Sequence, residues 1–225
     1  MLWYKGWLET RFRVLFALVV WAYVLISAIS RGVAGHAGPK EFLLAPFVIW
    51  LLVPIMLAGA GIHTQPAFRA VKGLHGSMLF TLSLPVSRLK LLAVRAGLGW
   101  IESASLIVLV CACLWTLFPQ LRQAEFIEYV GVLLACMTPI YCITVLLATV
   151  LDDIWRLYGS GIAIGLLWAL FSKTPFPRSL NIFRAMGVGS PLMAHSVPWG
   201  AVALSLSLAA ALFFAAVKIV QTREY

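Results

Sequence analysis

Six long apolar runs decide what this chain can fold into. They occupy residues 14–30, 43–61, 91–118, 129–151, 158–172 and 200–217, and roughly 20 apolar residues in a helix cross about 30 Å of hydrocarbon. The fifth is the shortest, with Arg156 and Lys173 placed to reach the headgroups by snorkelling. All six are continuous and rich in Leu and Ala, so they lack the alternation of outer-membrane barrel strands and read as helices. Composition agrees: 62% of the 225 residues are hydrophobic and 11% are charged, too few polar groups to cover a soluble domain. The expected fold is an all-α integral membrane protein with six transmembrane helices in a single domain, residues 1–225. Basic residues ahead of the first run invite comparison with a signal peptide. That run is longer than a signal core, and the segment leading into it is long and aromatic, so an uncleaved first span is expected.

Basic residues orient the helices. With both termini inside, the inner segments hold Lys5, Arg11, Arg13, Arg69, Lys72, Arg88, Lys90, Arg95, Arg156, Lys218 and Arg223, against Arg31, Lys40, Arg122, Lys173, Arg178 and Arg184 outside. The positive-inside rule then places both termini in the cytoplasm of a multi-pass protein of the cytoplasmic membrane. Topology and anionic membrane lipid account for the net charge of +9, with no nucleic acid partner required.

Soluble-enzyme chemistry finds little footing. Cys111, Cys113, Cys136 and Cys142 fall inside the third and fourth spans, where they are expected to act as small apolar residues rather than as disulfides or metal ligands. The four histidines are scattered, so no metal site is expected. There is no GxxxxGK[ST] run to cradle phosphate and no GxSxG elbow, so no catalytic residues are assigned. The adjacent carboxylates Asp152 and Asp153 read as an interfacial turn near Arg156.

The segment from 62 to 90 is much longer than a two-span hairpin needs, and connections of that length are structured or functional. Residues 67–82 avoid proline and place Phe68, Val71, Met78, Leu79 and Leu82 at helical spacing, with Arg69, Lys72 and Gly76 largely off that stripe. This predicts a short amphipathic helix near the membrane surface. Pro85 restricts Leu84 and ends it, Ser87 stands where it can cap the third span, and Arg88 and Lys90 anchor that span at the headgroups.

The stretch HGSMLFTLSLPVSRLKLLAVR, residues 75–95, resembles the cytoplasmic signature of type-2 ABC exporter permeases: a Gly-Ser/Thr pair opens a helix that closes on a Leu-Leu-x-x-Pro-x-Ser-Arg-like run. WLETRFRVLF resembles the connecting helix before that family's first span, and VQTREY its short basic inner tail. The resemblance implies a transport subunit, not an enzyme, with ATP and Mg held by a separate ABC ATPase present in two copies. The chain itself would bind no cofactor and would pair with a second permease subunit, as a homodimer or heterodimer. It also implies an interfacial helix over 1–13, a coupling segment over 62–90 and short re-entrant outer helices within 173–199. Docking on the ATPase would fall to His75, Gly76, Ser77, Phe80, Pro85, Ser87 and Arg88. Where the family carries acidic residues before the Gly-Ser/Thr pair, FRAVKGLHGS has Lys72 and His75. The polar content of the spans is low, which leans toward a hydrophobic or amphipathic substrate.

Glu102 is the carboxylate set deepest in a predicted span, and burying its charge in lipid would cost about 3 kcal/mol. It should therefore face other helices, be protonated or meet a partner such as Arg95, two turns earlier on the same face. Ser103 and Ser105 are the alternative partners. An intramembrane polar site and a packing contact both remain open for it. Two rival functions also stand: a membrane-embedded enzyme using Glu102, Asp152 or Asp153, and a regulatory membrane subunit that transports nothing. Pro139 should kink the fourth span, with Thr138 or Thr144 hydrogen-bonding to freed carbonyls.

Overall fold

The computed structural model describes residues 2–33, 55, 87–117, 124–151, 153–173 and 177–222. Within these the protein is all-helical, without strands: α1 (Leu2–Val33), α2 (Arg88–Leu117), α3 (Ala124–Ala148), α4 (Asp153–Lys173), a 3-10 turn (Arg178–Leu180), the short α5 (Ile182–Met186) and α6 (Pro191–Ala194), and α7 (Trp199–Thr222). Three helices are long and apolar enough to cross a bilayer, Leu89–Leu117, Ala124–Ala148 and Trp199–Thr222, which marks a membrane protein. Of the predicted spans, 43–61 lies outside the described residues apart from Ile55, a buried helical residue. Val14–Tyr23 forms a shorter apolar stretch within α1.

α1 is one continuous helix where the sequence suggested an interfacial segment over 1–13 followed by a span. From Trp7 to Arg31 there is neither Pro nor Gly, so nothing in the chain interrupts the hydrogen-bonded ladder. α2 starts where Ser87 caps it: the Lys90 N–H donates to Ser87 Oγ at 3.3 Å and the Leu91 N–H to the Ser87 carbonyl at 3.1 Å.

α3 is the hub. Thirteen of its 25 residues are buried, and it touches α2, α4, α5, α6 and α7. Its widest contact is with α7, which presents Ala201, Ser205, Ala209, Ala216 and Val220 along one face. Small residues at four-residue intervals let two backbones approach closely, the mode by which membrane helices pack without a hydrophobic drive between them. Cys136 belongs to this seam, accepting a hydrogen bond from Ser205 Oγ at 3.6 Å. All four cysteines are free thiols, three of them buried.

Pro139 lies inside α3, and the helix continues through it. Thr138 and Thr144 donate to the Leu134 and Ile140 carbonyls, each four residues back, at 2.8 and 3.2 Å. Neither hydroxyl reaches the Ala135 carbonyl that Pro139 leaves without its usual donor. The sequence expectation named the right side chains and the wrong carbonyls.

Two apolar cores share the bundle. At the end where α2 begins, here the near end, Leu92 and Ala96 meet Tyr141, Cys142 and Val145 of α3 and Ala209, Ala216 and Val220 of α7. At the far end, Leu106, Ile107, Val110 and Leu114 of α2 pack with Phe126 to Ile140 of α3, Ile164 of α4, Ala201 of α7 and the short helices. α2, α3, α4 and α7 thus alternate in direction. α1 runs parallel to α2, with Trp3 against Gly97 and Ala17 and Trp21 in the far core.

Candidate functional site

Polar side chains of the long helices gather at the near end. α2 contributes Glu102 and Ser103, α3 contributes Thr138, Tyr141 and Thr144, and α4 contributes Arg156 and Ser160. Helical spacing explains why α4 points its two inward: Arg156, Ser160 and Ile164 succeed one another at four-residue intervals on its buried face, while Trp155, Tyr158, Ile162, Leu166 and Trp168 stand exposed on the other. The pattern is inside out relative to a soluble helix, with charge inward and large apolar groups outward.

Glu102 is 7% exposed and Arg156 is 4% exposed, so both are enclosed by the helices. Tyr141, buried between α2 and α3, lies within electrostatic range of both. Its hydroxyl donates to the Ala96 carbonyl at 2.7 Å, and one turn away Trp100 Nε1 donates to Thr138 Oγ1 at 3.3 Å. These two bonds cross-link the first half of α2 to the second half of α3. The Ser103 proton is committed to the Gly99 carbonyl of its own helix at 2.8 Å, so Ser103 does not donate to Glu102. The Ser160 hydroxyl, fully buried one turn beyond Arg156, makes no hydrogen bond among the described residues. A carboxylate and a guanidinium enclosed in one bundle, both within electrostatic range of the same phenol, offset part of each other's desolvation penalty in an interior of low dielectric.

Arg95, the partner anticipated for Glu102, is half-buried seven residues earlier on α2. Ser87 is exposed as the cap of α2, and Arg88 is the first residue of that helix. His75, Gly76, Ser77, Phe80 and Pro85, with nearly all of the segment 62–90, lie outside the described residues, as does Asp152; Asp153 opens α4. Sequence reasoning missed Tyr141 and Ser160 and read Arg156 only as an interfacial residue. The signal for Arg156 was the face it shares with Ser160 and Ile164, opposite the tryptophans. Tyr141 offered none beyond being a tyrosine within a span. Among the described residues no three His, Cys, Asp or Glu side chains converge as a metal site would need.

The far end is built differently. Asn181 joins two helices through one amide: its Nδ2 donates to the Phe171 carbonyl of α4 at 3.0 Å, and its Oδ1 accepts from the Arg184 N–H at 2.9 Å, capping α5. Phe171 and Phe183 stack edge to face with centroids 6.0 Å apart across the same joint. The 3-10 turn lies against the start of α7, where a Cβ on Gly200 would stand 3.0 Å from the Ser179 carbonyl oxygen. His195, whose backbone is left-handed with φ 51°, brings Nδ1 within 3.7 Å of Glu125 Oε1 at the start of α3.

Comparison of the chain with protein-family models, with curated proteins and with solved structures gave no match.

Proposed function

We propose that this chain is the transmembrane permease subunit of an ATP-driven ABC exporter, paired with a second permease subunit and two copies of a separate ATPase, with its near end in the cytoplasm. The observation that carries the reading is where the Leu-Pro-Val-Ser-Arg run leads. Its Ser87 caps α2 at the near end, where α3 and α7 end, α4 begins and the buried polar cluster lies. A push on the segment 62–90 would therefore enter α2 directly, and the Tyr141–Ala96 and Trp100–Thr138 bonds would pass it to α3.

Two features of the helices favour six crossings. α1 and α2 run in the same direction, so the chain between them has to return from the far end to the near end, and the apolar run 43–61 has the length for it. α4 reaches from the near-end cluster to the Phe171–Phe183 joint, with its apolar face outward as a lipid-facing helix requires. On this topology both termini are cytoplasmic, the segment 177–198 lies at the outer surface of the cytoplasmic membrane, and α5 and α6 are the short outer helices of the permease. ATP and Mg stay on the partner ATPase, and the substrate is hydrophobic or amphipathic.

The test is co-purification of the full chain with its ATPase. Ser77→Arg should reduce recovery of the ATPase by tenfold or more while membrane insertion is unchanged, and candidate substrates should stimulate ATP hydrolysis by the wild-type complex. Unchanged association with Ser77→Arg overturns the coupling role. Association with no stimulation by any amphiphile points to the regulatory subunit instead.

A further inference from the structure

Between the last turns of α4 and the short helix α5 lies a groove of about 410 Å³ lined by Trp168, Ser172, Asn181, Phe183, Arg184 and Val188. We propose that this groove seats an anionic phospholipid, with its phosphate on Arg184 and its acyl chains running down α4.

Arg184 is held in place from three sides. Asn181 Oδ1 takes its N–H, and its carbonyl accepts from the Gly187 N–H at 3.0 Å and the Gly189 N–H at 2.8 Å. Gly189 permits that tight turn, since a Cβ there would stand 3.1 Å from the Arg184 carbonyl oxygen. The side chain is left exposed by all this, and its guanidinium makes no hydrogen bond or ion pair among the described residues. Among the described residues no carboxylate lines the groove. Glu125, at the start of α3, faces His195 instead. An exposed guanidinium on an anchored backbone, unpaired among the described residues, is suited to bidentate contact with a phosphate.

The groove floor and the wall below it are apolar. Phe183 is buried and lines the groove, and Trp168, 55% exposed, lines it too, as tryptophans do at headgroup depth. Further along the same side of α4, Gly161 and Gly165 have nothing within 4 Å of where a Cβ would project, which leaves a smooth track for a chain. A glycine track of this kind also suits a second helix. A second copy docked symmetrically here would bring its own unpaired Arg184 to the same end of the contact, which opposes that occupant and favours an anionic one.

The inference rests on α4 crossing the membrane, and on neither transport nor an ATPase. Full-length protein is reconstituted in vesicles of phosphatidylcholine and phosphatidylglycerol at a 7:3 ratio, with a trace of either lipid carrying a photoreactive acyl chain, and the labelled peptides are mapped. Label from phosphatidylglycerol is expected on the peptides that carry Trp168 and Phe183, at least fivefold above that from phosphatidylcholine. Arg184→Gln should remove the preference. Val188→Trp, which fills the groove and keeps the charge, should remove the label. Equal labelling by the two lipids, or a preference that survives Arg184→Gln, overturns the proposal, as does displacement of the label by inorganic phosphate at millimolar concentration. Loss of the label together with a disulfide between copies of Gly165→Cys assigns the face to a second copy and also overturns it. A Ser179→Cys thiol that reacts with an impermeant reagent from outside, with no lipid label, sinks this inference alone; an unreactive thiol sinks the topology beneath it.

Discussion

The two ends of the bundle treat an arginine in opposite ways. At the near end Arg156 is enclosed with Glu102 and Tyr141 by three long helices, whereas at the far end Arg184 is fixed by its backbone and its side chain is left to the surroundings. The near end has hydrogen bonds between the side chains and backbone of two long helices, whereas the far end has aromatic pairs, Trp115 with Phe126 between α2 and α3 and Phe171 with Phe183 between α4 and the short α5. Charges are costly inside a membrane protein unless they answer one another, so the near end ties its helices together as a set.

That contrast can be broken or sharpened by mutation. Arg156→Gln should have the largest effect, a loss of about 2–4 kcal/mol of stability in detergent because an opposite charge is left enclosed. Glu102→Gln in the same background should recover part of it. If the two losses instead add to within about 0.5 kcal/mol, the near-end charges do not form one network. Asn181→Ala removes a helix cap and the link to Phe171, for about 1–2 kcal/mol. Its effect should be local: amide exchange should quicken over residues 177–194 and stay unchanged in the second half of α3, and an equal rise there would erase the distinction between the ends. Tyr141→Phe should be the mildest at about 1 kcal/mol, by loss of the hydroxyl bond to Ala96, measured by the same unfolding assay. No measurable loss would shift the near-end cross-link onto Trp100 and Thr138.

Much of this was legible in the sequence because it follows from local rules. The all-helical class came from run length, the start of α2 at Ser87 from capping chemistry, and the packing role of Cys136 from its place in a span. The rest depends on which face a residue shares. Arg156, just after two aspartates at the edge of the weakest run, reads as an interfacial anchor. Only its register with Ser160 and Ile164, opposite Trp155 and Ile162, turns it inward. Asn181 sits among prolines in a segment with no periodicity, so nothing nearby announces that its amide bonds to a carbonyl ten residues back. Ser103 looked like a donor to its neighbour Glu102, but a helical serine can reach the carbonyl of the preceding turn, and this one does.

The length of α1 has a mechanical side. Thirty-two helical residues make a rod of about 48 Å, against roughly 30 Å of hydrocarbon in an average bilayer. On the proposed topology, in which α1 crosses the membrane, such a rod must tilt or project, its angle answering both to its packing against α2 and to the thickness of the membrane around it. Because Trp3 near its tip rests on Gly97 of α2, a change in thickness would be felt as a sideways load about half a turn from Arg95 and about one and a half turns from Glu102. The first helix would then act as a strain gauge for the lipid, read out where the buried charges are.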